Sequence, residues 1–355
     1  MAQKEKNAID IDYETENTTV HFVKEQNKIT IDDVADALGV SKTTVSRAIS
    51  GKGRISESTR KRVTEYIKKN HYRPNIVAKG LANSKTYNIG WVMPRDSSAT
   101  DLPFFQRCMI GVSEVAAVKD YDILISMVFE HDISQLKRIV KNRKVDGVIV
   151  GRTLVKDECV SFLKESNMPF VVIGSSMDNQ VIQIDNDHIN ACRELTSILM
   201  MKGIRRFALI GGNANHMVNK IRQRGFEIEL EEQGVDSKDW KIYMDCESEK
   251  TVEYAVEECL INHIECIMCT DDRICRTVLN KLLEDGVDVP EQIKVASFYN
   301  SDILENYQPA ITTLQYDPKE LGIVACKTLF DYISGKEVQK KVLLGYEVLL
   351  KGSTQ

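Results

Sequence analysis

From Tyr87 to Phe298 the chain alternates short, uninterrupted apolar runs with amphipathic stretches of helical period, and few folds accept that pattern. The runs are NIGWVM, YDILIS, GVIVG, PFVVIG, FALIGG, CIMCT and IKVASF. The helices between them are expected to begin near Phe104, Ile133, Glu158, Asp187, Val218, Glu249 and Ile274. A strand that is apolar on both sides must be covered on both sides, so the alternation predicts parallel sheets flanked by helices. About 270 residues of it exceed one comfortable open sheet. The expectation is therefore two doubly wound subdomains. The first takes about 87–184 and 315–335, the second about 185–314 and 336–355.

A sheet of this kind often houses an enzyme, yet the motifs of turnover are missing. No G-x-G-x-x-G or G-x-x-x-x-G-K-[ST] follows any of the runs, which argues against dinucleotide or nucleoside-triphosphate chemistry. No nucleophile elbow or H-E-x-x-H appears, and the six histidines form no ligand cluster. The nine cysteines include Cys266-Ile-Met-Cys269 with Cys275 beyond, but only the isolated His263 stands near. Zinc needs a second pair of ligands. In a strand, residues three apart point to opposite faces, so these thiols read as reduced core residues. No metal, cofactor or catalytic residue is expected.

The region before Tyr87 has a different character. Residues 1–28 are polar and without period, which predicts a disordered arm. Thr30 and Asp33 have the spacing of a capping box, and Ile31, Val34, Ala35 and Leu38 follow at helical intervals up to Gly39. A second helix opens at Ser41, with Val45, Ala48 and Ile49 on one face, and a third covers about 57–70 with Val63, Tyr66 and Ile67 inward. Two short helices joined through Ala37-Leu38-Gly39-Val40 have helix-turn-helix spacing, in which the second helix enters the major groove of DNA. Along SKTTVSRAIS, Lys42, Thr43 and Arg47 can donate to base edges. Ser41, Thr44 and Ser46 carry hydroxyls suited to phosphate oxygens.

Charge separates the parts. The whole chain of 355 residues carries a formal net charge of −5, which by itself suggests no nucleic acid. Residues 29–86, however, hold twelve Lys or Arg against five Asp or Glu, whereas the region beyond is acidic. A basic segment of that size favours DNA over a merely solvated helical face. No apolar run approaches the roughly 20 residues of a membrane span, and MAQKEKNAIDIDYETENTTV lacks a signal-peptide core. A cytoplasmic protein is expected.

The stretch ITIDDVADALGVSKTTVSRAISGKGRISESTRKRVTEYIKKNHYRPNIVAKGLANSKTYNIGWVMP resembles the headpiece and hinge of the LacI/GalR family of bacterial transcriptional repressors. The likeness is dense over about 29–94 and continues to PAITTLQYDPKELG and the terminal KGST. It implies an all-α helix-turn-helix headpiece (29–73), a hinge helix (74–86) and a periplasmic-binding-protein-like α/β core (87–355). By position, the family's base-reading residues fall on Lys42, Thr43 and Arg47. Its phosphate contacts fall on Ser41, Thr44, Ser46 and the neighbourhood of Arg54. The hinge helix begins at Asn75, and the minor-groove leucine falls on Leu81. So short a helix is unstable alone in water and should form only against DNA and its dimer mate.

For the core, the resemblance implies a homodimer whose cleft answers a small-molecule effector. Phe105 offers a ring face, Asp185 a carboxylate, and Arg222, in an R-x-x-G-F match, a guanidinium fork. Asp271 stands where the family often has Asn or Asp, and it can equally cap the helix that follows. The family commonly reads V-x-G-[FY]-D-[DN] near the second crossing, whereas this chain has Val295-Ala-Ser-Phe-Tyr299-Asn300. Tyr299 thus replaces a carboxylate with a stacking phenol. Ile184-Asp-Asn-Asp-His188 and Arg152-Thr153 look most like the subset answering maltose-type or other oligosaccharides. A solute-binding protein or an enzyme on the same core, and a regulator answering a nucleoside or a protein, are the competing readings.

Overall fold

The computed structural model describes residues 29–51, 53–72, 80, 84–95, 102–129 and 131–355. The expected arm 1–28 and the hinge positions Asn75 and Leu81 lie outside the described residues. The chain falls into two compact units that divide at residue 80.

In the first unit, α1 (Ile31–Leu38), α2 (Lys42–Ser50) and α3 (Glu57–Lys69) form a three-helix cluster. Local chemistry sets each boundary. Thr30 and Asp33 close a reciprocal capping box on α1, and Gly39, at φ 61°, ends it in the left-handed region. Ser41 and Ser56 cap α2 and α3 through the amides of Thr44 and Thr59. Val34, Ala35, Val45, Ala48, Val63 and Tyr72 make the core. Ile49 is 38% exposed, so it does not share the buried face expected of it. The Arg62 guanidinium donates to the Leu38 carbonyl at 2.9 Å and ties α3 to the turn between α1 and α2.

The second unit contains two six-stranded sheets. In chain order the strands are β1 (Asn88–Pro94), β2 (Asp122–Val128), β3 (Gly147–Val150), β4 (Phe170–Ile173), β5 (Gln183–Asn186) and β6 (Phe207–Ile210). There follow β7 (Trp240–Tyr243), β8 (Cys266–Cys269), β9 (Lys294–Ser297), β10 (Thr312–Gln315), β11 (Lys341–Leu344) and β12 (Glu347–Leu349). The first sheet has the order β11-β5-β4-β3-β1-β2 and is wholly parallel. The second has the order β12-β10-β9-β8-β6-β7, with only β12 antiparallel, against β10.

Burial explains the apolar runs. Every residue of β3, β6 and β8 is buried, because helices cover both faces of each sheet. Along β8, Cys266 and Met268 pack into one layer while Ile267 and Cys269 pack into the other. All nine cysteines are buried and free. The run YDILIS forms β2 at the sheet edge, where Ile125 is 51% exposed.

The chain crosses between the lobes after β5, after β10 and between β11 and β12. The expected split assigned 336–355 to the second subdomain. Lys341–Leu344 instead adds a strand to the first sheet, beside Gln183–Asn186, and β5 itself lies in that sheet past the expected boundary at 184. Both strands are short and carry polar residues, so their apolar content gave no sheet assignment.

Candidate functional site

The exposed surface of α2 is the polar face that the sequence placed there. Lys42, Thr43, Ser46 and Arg47 are exposed, Thr44 is half-buried, and Val45 and Ala48 turn into the core. Ser41 and Thr44 are joined hydroxyl to hydroxyl at 2.9 Å, and the Ser41 oxygen also accepts from the Thr44 amide. Both hydroxyls therefore sit at the N-terminus of α2, where the orphan amides and the helix dipole favour anions. Lys42 forms an ion pair with Asp32 of α1. Arg54 is exposed just beyond Gly53, whose φ is 88°.

In the second unit, residues from both lobes converge on a cleft at the carboxyl ends of the strands, with about 1100 Å³ of open space including its mouth. Phe105, Asp185, Arg222, Asp271 and Tyr299, all named from the sequence, line this one cleft. Phe105 is only 6% exposed and packs chiefly into the first-lobe core. Its neighbour Phe104 presents a ring edge to Tyr299, centroids 6.2 Å apart. The Tyr299 ring stacks on Tyr316 at 6.4 Å with planes 14° apart. The Arg222 guanidinium lies 5.7 Å from the Tyr299 centroid and 5.8 Å from that of Tyr316.

Asp185, Asp271 and Glu247 of the cleft are engaged by protein groups, and a fourth carboxylate, the buried Asp272, also lines it. Asp185 accepts from the Ser175 hydroxyl at 2.8 Å and from the Asn186 amide at 2.8 Å, and His188 Nε2 stands 3.4 Å from its other contact oxygen, Oδ1. Burial drives the Asp185 carboxyl up, but His188, Ser175 and Asn186 together bring it below its ordinary value. Burial, reinforced by the Arg222 charge, depresses the His188 imidazole, while Asp185 beside it pulls the other way. Asp271 caps the helix Asp272–Glu284, accepting from the Ile274 amide at 2.8 Å, while it also lines the cleft. Glu247 accepts from Asn213 at 3.2 Å. Arg222 donates Nη1 to the Thr270 carbonyl at 2.6 Å, and its buried Nε has no protein partner.

The two lobes also touch at the cleft mouth. Leu154 and His216 form an antiparallel bridge. The Val155 amide donates to the Asn215 carbonyl at 2.8 Å, and the Met217 amide to the Thr153 carbonyl at 3.1 Å.

Sequence reasoning singled out the segments holding His188 and Thr153 only as an oligosaccharide signature, and it missed Tyr316, Phe104 and the Leu154–Val155 contact as parts of the site. The i, i+3 spacing of Asp185 and His188 was a usable signal, since it joins the end of a strand to the start of the helix after it. For Tyr316 there was none, because only the packing of its ring on Tyr299 marks it. Among the described residues, no group of three or more His, Cys, Asp or Glu could hold a metal ion, and no helix is long and apolar enough to cross a membrane.

Residues 30–75 match the family described as bacterial regulatory proteins, lacI family, and residues 196–354 match the periplasmic binding protein-like domain. The HTH-type transcriptional regulator MalR of Streptococcus pneumoniae is 31% identical over 336 residues, which span 91% of this chain and 99% of that protein. Catabolite control protein A of Staphylococcus aureus is 28% identical over 332 residues, 92% of this chain and 99% of the relative. Among solved structures, the lac repressor dimer bound to operator and an anti-inducer superimposes with a TM-score of 0.76 at 22% identity. That match covers 92% of this chain and 99% of the other.

Proposed function

The chain belongs to the lacI family of bacterial transcriptional regulators, and we propose that it represses transcription as a homodimer on a palindromic operator under control of a carbohydrate effector. The observation that carries this reading is the convergence of Phe104, Asp185, Arg222, Asp271 and Tyr299 on one interlobe cleft, in a chain that also holds a helix-turn-helix. Aromatic faces beside hydrogen-bonding groups suit a sugar ring, which has apolar faces and a polar rim. The oligosaccharide lean drawn from Ile184–His188 and Arg152-Thr153 makes maltose and its relatives the first ligands to assay.

On this reading Lys42, Thr43 and Arg47 read base edges, while Ser41, Thr44, Ser46 and Arg54 hold phosphates. The hinge segment from Asn75 forms its helix against the operator centre, where Leu81 opens a base step. Effector in the cleft biases the angle between the lobes. Two hinges of a dimer are then spaced differently, and operator affinity changes by the differential affinity of the effector for the two lobe arrangements. The core needs no turnover for this, so sugar should be recovered unchanged.

Band shifts on palindromes near its own genes test the DNA half. Specific binding should fall steeply with salt and drop when either half-site is scrambled. A melting screen of the protein against sugars and nucleosides tests the effector half, since a ligand at a hundredfold excess over Kd adds about 2.7 kcal/mol. No specific band on any such palindrome would overturn the regulator reading. Shifts by nucleosides alone would move the effector out of the carbohydrates. Repeating the band shift with the stabilising sugar gives the direction of control.

A further inference from the structure

Within the proposed effector cleft four carboxylates, Asp185, Glu247, Asp271 and the buried Asp272, line the walls, yet none of them is paired with Arg222. Asp185 spends its oxygens on Ser175, Asn186 and His188, Asp271 caps a helix, and Glu247 holds Asn213. Arg222 is only 6% exposed, yet among the described residues no carboxylate comes within 4.0 Å of it. Its neighbours are the Thr270 carbonyl and the faces of Tyr299 and Tyr316, and its Nε is unpartnered. A buried guanidinium held only by a neutral carbonyl and two rings keeps most of its desolvation cost. The Tyr299 ring, 5.7 Å from the guanidinium, fills the position beside it with an aromatic face and no charge. Beside it, the buried Tyr316 hydroxyl and Asn186 Oδ1 also lack protein partners.

We infer that the effector is an acidic carbohydrate, whose carboxylate or phosphate pairs with Arg222 while its ring packs on the Tyr299 and Phe104 wall. Tyr316 and Asn186 then take hydroxyls, a donor and acceptor pair that a sugar satisfies in either order. A fork facing a planar carboxylate or a phosphate edge forms two parallel charge-assisted bonds, which a neutral hydroxyl cannot supply. This rests on the carbohydrate reading and narrows it away from neutral maltose-type ligands. Tyr299 would be its specificity determinant.

The test is a set of calorimetric titrations of the full chain with three kinds of probe. Glucuronate and galacturonate carry a carboxylate, glucose 6-phosphate carries a phosphate, and glucose, galactose and maltose are neutral. At least one acidic sugar should bind tenfold or more tighter than its neutral parent, and the carboxylate and phosphate arms tell the two anions apart. Arg222→Lys should keep the preference in weakened form and Arg222→Gln should abolish it. Tyr299→Asp, which places a carboxylate beside Arg222, should reverse it towards neutral sugars, and it carries the test if Arg222→Gln does not fold. Neutral sugars binding as tightly as acidic ones would overturn the inference and leave the carbohydrate reading standing. Inorganic phosphate binding as tightly as glucose 6-phosphate would overturn it too, because the sugar would then contribute nothing. Binding by none of the sugars would sink both readings together.

Discussion

His188 Nε2 lies 3.4 Å from Asp185 Oδ1, and both side chains are buried where the chain first leaves one lobe for the other. Burial and the Arg222 charge hold the His188 imidazole below its ordinary value against the opposing pull of the Asp185 carboxylate. An unfolded histidine takes up its proton near pH 6.5, whereas the folded one resists it. Below that pH the unfolded state binds more protons, so stability falls with falling pH. The melting temperature should be level above about pH 6.5 and decline below it. His188→Gln keeps a donor for Asp185 but does not titrate, and should lose much of the slope between about pH 6.5 and 5. An unchanged slope would remove His188 as its source. The Asp185 contribution lies elsewhere, present above its unfolded value near 3.8 and lost as pH falls through its lower folded value.

The helices Leu102–Val118 and Pro318–Ile333 meet backbone to backbone. A Cβ on Gly322 would stand 2.0 Å from the Cys108 carbonyl oxygen, and one on Gly111 would stand 2.1 Å from that of Lys319. Gly322→Ala must therefore push the helices apart, costing roughly 1–3 kcal/mol or more. Denaturant melts should show the loss in the core transition. A variant as stable as the parent would mean that the helices can separate freely.

On the proposed reading Lys42 serves a base edge, which it cannot fully do while paired with Asp32. Asp32→Asn should free it and remove a negative charge from the surface proposed to face DNA. Operator affinity should rise severalfold at low salt, and the gain should shrink as salt is added. Fluorescence anisotropy at two salt concentrations checks both the sign and the trend.

The bond from the Val155 amide to the Asn215 carbonyl holds the lobes together at the cleft mouth. Val155→Pro deletes that donor and should favour the open arrangement. Losing one such bond, worth about 1 kcal/mol, should weaken effector binding about fivefold. Effector titrations would show it, and unchanged affinity would mean that the observed lobe contact is not part of the ligand-bound form.

The sequence carried most of the local structure and much of the site. The caps at Thr30, Ser41, Asp187 and Asp271 act over three or four residues, so their spacing shows in the chain. Phe105, Asp185, Arg222, Asp271 and Tyr299 lie at or just past a strand end, or on a helix facing one, and all five reach the same cleft. Phe105 proved mostly core, with Phe104 beside it as the ring nearer Tyr299, because one residue of helical rotation separates wall from lining.

By itself, then, the sequence determined the helix-turn-helix, the two-sided burial of the strands and the division of charge between headpiece and core, all of which depend on neighbours in the chain. Tertiary structure alone decided that Lys341–Leu344 completes the first sheet, that Gly322 touches Cys108 and that Tyr316 stacks on Tyr299. It also left Arg222 without a carboxylate. Such relationships join residues far apart in the chain, and no local period or cap encodes which distant partner a side chain will meet or lack.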